Sequence, residues 1–102
     1  MRSTVARIYR FRATHSLPDF PEPWCFPHQH DYTVEVVAKG GTSTDLLDEF
    51  WRDRGFDGAN LNCWFVPSTV ENIAETLLSA ASKSILSVMV WEDRQRWGKA
   101  ER

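Results

Sequence analysis

The stretch Cys25-Phe26-Pro27-His28-Gln29-His30-Asp31-Tyr32-Thr33-Val34-Glu35-Val36-Val37-Ala38 decides how the rest of the chain is read. Tyr32, Val34, Val36 and Ala38 alternate with Thr33, Glu35 and Lys39 at the period of two of a half-buried β-strand. His28 and His30 continue the apolar side of that alternation. Imidazoles two residues apart on a strand point the same way, which suits two ligands of one divalent metal. On this short pattern alone, a pair of structural histidines at a strand entrance is the commoner explanation. A third histidine has to decide between the two.

Towards the N-terminus, Val5, Arg7, Tyr9, Phe11, Ala13 and His15 share one face, with Ala6, Ile8, Arg10 and Arg12 on the other. This is a strand that ends with His15 on its apolar side. Pro18, Pro21, Pro23 and Pro27 then exclude regular structure and make a stiff connection. If the two strands pair antiparallel, the end of the first lies beside the start of the second. His15 then arrives at His28 and His30, and all three histidines of the chain converge. Three neutral imidazoles with an open fourth position make a catalytic zinc arrangement.

Towards the C-terminus, Gly40-Gly41 ends the second strand. Thr44 is expected to cap a helix whose stripe is Leu46, Leu47, Phe50 and Trp51, with Asp45, Asp48 and Glu49 near its positive end and Gly55 closing it. Phe56 to Asn62 is turn-rich, with Asp57-Gly58 as the turn signal. Ser68-Thr69-Val70-Glu71 reads as a capping box that opens a helix carrying Val70, Ile73, Ala74, Leu77, Leu78 and Ala81 on one side, which gives Glu71 a structural role. Ile85 to Glu92 is a third strand with Leu86, Val88, Val90 and Glu92 on one face. An acid ending an apolar face is either a solvated strand end or a group that meets a polar ligand. Local sequence leaves both open for Glu92. Arg94 to Arg102 is either a short last strand around Trp97 or a frayed tail.

A chain of 102 residues is one domain, 1–102, and five Trp and six Phe are a large aromatic load for it, so homo-oligomerisation is expected. Trp64 and Trp91 sit in apolar contexts that suit a core, whereas Trp24, Trp51 and Trp97 suit an interface or a site rim. The net charge of −2 is spread over interspersed acids and bases, which argues against a nucleic-acid partner. No signal-peptide h-region and no bilayer-length apolar run occur, so a cytoplasmic protein without a membrane partner is expected. In that reducing setting Cys25 and Cys63 are not expected to form a disulfide, and each thiol is core, ligand or nucleophile.

The order of elements, with Phe11-Arg12-Ala13-Thr14-His15-Ser16-Leu17, His28-Gln29-His30-Asp31-Tyr32, Phe56-Asp57 with Leu61-Asn62, Ser68-Thr69-Val70-Glu71-Asn72-Ile73-Ala74 and Val90-Trp91-Glu92, resembles the 6-pyruvoyltetrahydropterin synthase and 6-carboxytetrahydropterin synthase family. The motifs run in the family's order over almost the whole chain. The resemblance implies an α+β tunnelling fold (T-fold), in which an antiparallel four-stranded sheet with two helices on one face assembles around an oligomeric barrel, typically a hexamer. It implies zinc on His15, His28 and His30, and a pterin whose aminopyrimidine edge is anchored by Glu92, with Thr69 near it. The implied activity is a zinc-dependent lyase acting on dihydroneopterin triphosphate or a close relative, with Cys25 or a zinc-bound water as base and Asp57 as auxiliary. The chain departs from the pattern in places. Gly58 stands where the family has a histidine beside the aspartate, Gln29 replaces a glycine, and the segment from Gly40 to Asp57 is short. A different substrate, or a pterin- or metal-binding module without turnover, are the other readings.

Overall fold

The computed structural model describes residues 3–52 and 54–102, with Thr44 described by its backbone alone. The chain runs β1 (Thr4–His15), β2 (His28–Lys39), α1 (Thr44–Arg52), a short 3-10 turn (Leu61–Cys63), α2 (Val70–Ala80), β3 (Ile85–Glu92) and β4 (Arg96–Glu101). The strands form one antiparallel sheet in the order β1-β2-β3-β4, so the polar C-terminal segment is a strand and not a tail.

β1 and β2 pair along their full length, with Phe11 opposite Tyr32, Ala13 opposite His30 and His15 opposite His28. Because side chains alternate, these facing pairs share the inner side of the sheet. β3 continues it, with Val88, Val90 and Glu92 opposite Val36, Val34 and Tyr32. The pairing shifts at Val37/Ala38, where Ile85 instead of Leu86 comes to lie opposite Ala38. One extra residue on β3 therefore moves the inward set by one place. Ile85 is buried and Leu86 is only partly so, contrary to simple alternation.

The helices cover the inner face. α2 buries Val70, Ile73, Ala74, Leu77 and Leu78, the i, i+3, i+4 set read from the sequence. α1 buries Leu47, and Phe50 and Trp51 pack against the same core, but Leu46 is 60% exposed. Positions 47, 50 and 51 complete the stripe, and Leu46 falls at its edge. Trp64 is also exposed, not core. It meets the buried Phe56 edge-on at 5.4 Å, while Phe65 takes the inner place.

Both helix starts differ from the expected caps. The Thr44 side chain lies outside the described residues. The Ser43 Oγ accepts from the Asp45 N–H at 3.2 Å, so the cap sits one residue earlier. At α2 the capping position is Thr69, which makes no side-chain cap bond, and Ser68 is turned inward. Glu71 remains exposed, and its backbone is where β4 touches the helix. A Cβ on Gly98 would lie 2.6 Å from the Glu71 nitrogen, so only glycine permits this approach. No helix among the described residues is long and apolar enough to cross a membrane.

Candidate metal centre

The register of β1 on β2 brings the three histidines to one end of the sheet's inner face. Ring centroids are 4.5 Å apart for His15 and His28, 4.7 Å for His28 and His30, and 5.0 Å for His15 and His30. One ligating atom from each lies within 4.8 Å of the others. His15, only 1% exposed, forms the floor of the group.

Each ring is oriented by an acceptor on its Nδ1. His15 Nδ1 lies 3.0 Å from the Ser68 carbonyl, His28 Nδ1 2.7 Å from the Phe26 carbonyl, and His30 Nδ1 2.6 Å from a carboxylate oxygen of Asp93. A carbonyl or carboxylate oxygen accepts only, so each Nδ1 carries a hydrogen and each Nε2 is the ring nitrogen left to act as a ligand. The Nε2 atoms of His15 and His30 are buried and without a hydrogen-bond partner among the described residues. Burial pushes the His15 imidazole below its ordinary pKa, outweighing the Ser68 carbonyl and the Glu92 charge that favour the cation. Buried ring nitrogens left unanswered on His15 and His30, beside His28, fit a divalent metal.

The supports come from distant segments. Ser68, 1% exposed, donates from Oγ to the Asn62 side-chain oxygen at 2.9 Å, and Asn62 exchanges bonds with the Ser16 backbone at 3.1 and 2.9 Å. This ties the start of α2 to the end of β1 and fixes the carbonyl that holds His15. Asp93 is held by two bonds to the backbone of Asp31. Its N–H donates to the Asp31 carbonyl at 2.7 Å, and its other carboxylate oxygen accepts from the Asp31 N–H at 3.1 Å. Burial raises the Asp93 pKa, but its hydrogen bonds to His30 and Asp31 win, leaving the carboxyl below its usual range.

Glu92 reaches the triad from β3, with one carboxylate oxygen 2.9 Å from His30 Nε2 and the other 3.9 Å from His15 Nε2. Tyr32 lies beneath, stacked on Phe11, with its ring edge-on to His15 and His30. Its hydroxyl is buried without a partner among the described residues, and burial drives its pKa upward. The centre opens into a cleft of about 1200 Å³ lined among others by Trp24, His28, His30, Tyr32, Glu92 and Arg96.

Cys25 is half-buried with a free thiol on the proline-rich connection. Its neighbours Pro23 and Trp24 line the cleft, and Cys25 is not among the lining residues. Cys63 is also free, as the absence of a disulfide requires. Thr69 is half-buried at the start of α2. Asp57 is exposed, and its carboxylate accepts from the Arg12 N–H at 3.1 Å, pinning its loop to the outer edge of β1. The next residue, Gly58, has φ +74°, a conformation L side chains rarely adopt, so the turn is built for the glycine that stands in place of a histidine.

Sequence reasoning missed the residues that orient the rings. Asp93 follows Glu92, but nothing in its local pattern distinguishes it from a surface acid. Ser68 and Asn62 looked like cap and turn residues, and the Phe26 carbonyl leaves no side-chain signal.

No protein-family model matches this sequence, and a comparison with curated proteins finds no match. Solved structures do resemble it. The 6-pyruvoyl tetrahydropterin synthase of Caenorhabditis elegans superposes with a TM-score of 0.71 at 21% identity, over 100% of this chain and 96% of that one. An uncharacterized protein from Wolinella succinogenes gives a TM-score of 0.75 at 16% identity, over 100% of this chain and 99% of that one. The chain therefore has the fold of these proteins, an α+β T-fold subunit with four antiparallel strands and two helices.

Proposed function

We propose that this chain is a zinc-dependent lyase acting on a pterin, dihydroneopterin triphosphate or a close relative, in the manner of 6-carboxy- and 6-pyruvoyl-tetrahydropterin synthases. The observation that carries this reading is the convergence of three imidazoles whose Nδ1 atoms are each taken by an acceptor, leaving Nε2 as the ligating nitrogen, beside a cleft roomy enough for a bicyclic heterocycle. His15, His28 and His30 would hold zinc, which when bound supplies Lewis acidity towards a substrate oxygen. Trp24 offers an aromatic face to a heterocycle at the cleft wall. Glu92 supplies the carboxylate for N–H groups of the ligand, with Thr69 near it. Cys25 takes the proton, with Asp57 as auxiliary. Residues 1–102 form one domain that works in the cytoplasm as a homo-oligomer, a hexamer by the resemblance.

A second reading is favoured by the turn at residues 57 and 58. The Asp57 carboxylate is engaged by the Arg12 backbone, and Gly58 offers no imidazole to relay a proton. This supports either an enzyme for another substrate or a pterin- or metal-binding module without turnover. The experiment is metal content by mass spectrometry on protein purified without added metal, alongside His28→Ala, followed by incubation with dihydroneopterin triphosphate. One zinc per chain, lost in the variant, with triphosphate release that Cys25→Ala abolishes, is the expected result. Ligand binding without release supports the module. Absence of both metal and pterin binding overturns the proposal.

A further inference from the structure

Carboxylates and guanidinium groups both line the cleft, but only the carboxylates have ionic partners. Of the acids, Asp93 lies 2.6 Å from His30 Nδ1, Glu92 lies 2.9 Å from His30 Nε2, and Asp31 lies 3.8 Å from Arg12. Arg10, Arg94 and Arg96 line the same cleft, and no ion pair among the described residues includes any of them.

Arg96 shows this most clearly. It stands directly opposite Glu92 in the β3–β4 ladder, and facing residues share one side of a sheet, where an acid and a base ordinarily pair. Here the Glu92 carboxylate is turned to the histidines, and no ion pair joins it to Arg96. Arg94 belongs to the turn between the two strands, and Arg10 enters from β1. That turn is anchored, because Asp93 exchanges two hydrogen bonds with the backbone of Asp31 on β2. Charged residues also protect the free edges of a sheet, and β1 and β4 are the edge strands. Edge protection does not require three charges of one sign gathered at one cleft.

Unopposed positive charge around a concave surface concentrates anions there. Guanidinium forks hold phosphate oxygens by paired, charge-assisted hydrogen bonds, and three of them suit an anion with several charged oxygens in a row. Space allows it as well. The cleft, about 1200 Å³, exceeds the roughly 300–1,000 Å³ of pockets that enclose a drug-sized ligand, so room remains beside a bicyclic head seated at the histidines.

We propose that Arg94 and Arg96, with Arg10, form a clamp for a phosphate chain on the ligand and make the site select phosphorylated ligands over their dephosphorylated forms. The inference rests on the pterin reading above and adds to it the residues of this chain that determine specificity for the tail.

The test uses the full chain stripped of metal, so that no ion can hold the anion, titrated calorimetrically with inorganic tripolyphosphate at two salt concentrations. Native protein, Arg94→Ala/Arg96→Ala and Arg94→Lys/Arg96→Lys are compared. Tripolyphosphate should bind the native chain, more weakly as salt rises. Its affinity should fall by about tenfold or more in the alanine variant, since hydrogen bonds to charged groups are each worth that much. The lysine variant is the less disruptive and keeps the charge, but should recover only part of the loss, because an ammonium lacks the planar fork. A second titration sets dihydroneopterin triphosphate against dihydroneopterin on the protein as purified, and the preference for the phosphorylated form should vanish in the alanine variant. Native affinity for tripolyphosphate in that variant, or no binding of tripolyphosphate to the native chain, overturns the clamp and leaves the pterin reading standing. Tripolyphosphate binding that depends on the arginines while neither pterin binds upholds the clamp for another phosphorylated ligand and overturns the pterin reading.

Discussion

His30 Nδ1 on β2 lies 2.6 Å from a carboxylate oxygen of Asp93, which stands in the turn between β3 and β4 and adopts a left-handed backbone, φ 54°, where it makes this contact. Non-glycine residues seldom take that conformation, although Asp and Asn tolerate it best. The carboxylate fixes the ring that, with His28, lines the cleft above the buried His15.

Asp93→Asn should therefore separate charge from backbone. Asparagine accepts the same φ but has one carbonyl oxygen for two donors, the His30 ring and the Asp31 N–H. Metal affinity is expected to fall by roughly 10- to 100-fold, as for other partners that orient a ligating imidazole. Isothermal titration of the metal-free protein measures it. Native affinity in Asp93→Asn would show that His30 is held in place by packing against Tyr32 and not by the carboxylate.

The two tyrosines of the chain give a pH prediction with a definite sign. Burial, followed by the hydrogen bond to Asp48, pushes the Tyr9 phenol up to about 12, and burial pushes Tyr32 higher still. A phenol whose folded pKa lies above its unfolded value of about 10 stabilises the fold fully below that value, and the contribution is lost as pH rises through the folded pKa. Tyrosinate absorbance should stay flat from about pH 10 to 11 while circular dichroism remains native, whereas the denatured chain ionises near 10. Half of the tyrosinate signal appearing near pH 10 in the folded protein would place Tyr9 in open water.

Much of this architecture was legible from local chemistry. The period-two stretches around Phe11, Val34 and Val90 and the apolar stripe of α2 specify strands and helix because burial selects one face at a time. The meeting of His15 with His28 and His30 needed only the assumption that consecutive strands pair antiparallel. What stayed hidden depends on register or on distant partners. One extra residue in β3 exchanged Leu86 for Ile85. Ser68 matched a helix cap, but the half-buried Asn62 and the buried His15 offered it better partners than the helix end did. Asp93 acts through a contact spanning 63 residues of sequence, which no window of local pattern includes.

The Gly98 contact predicts a stability loss remote from the site. Its Cβ position lies 2.6 Å from the Glu71 nitrogen and 2.8 Å from the Glu71 Cα, both backbone atoms that cannot rotate away. Gly98→Ala should push β4 off α2 and cost about 1–3 kcal/mol, as overpacking does in well-filled cores. Urea unfolding is expected to show a lower midpoint with an unchanged slope. A midpoint equal to that of the native protein would mean that the strand and the helix slide apart at no cost.

Arg102 closes the other end of α2. Its Nη2 donates to the Leu78 carbonyl at 2.9 Å and the Ala81 carbonyl at 3.1 Å, and its Nε to the Ile85 carbonyl at 2.7 Å, while its own N–H reaches the Leu86 carbonyl at 2.8 Å. The last carbonyls of a helix have no partner within it and carry its negative end, so a guanidinium there satisfies both hydrogen bonding and charge. The planar fork reaches several acceptors at once, which a lysine ammonium does with less geometric order. Arg102→Ala should destabilise the protein by about 1–3 kcal/mol, and Arg102→Lys should restore only part of that through its charge. Chemical denaturation of the three proteins at low and high salt resolves the contributions. Lysine's share should shrink with salt, and full rescue by lysine at high salt would contradict a role for the fork.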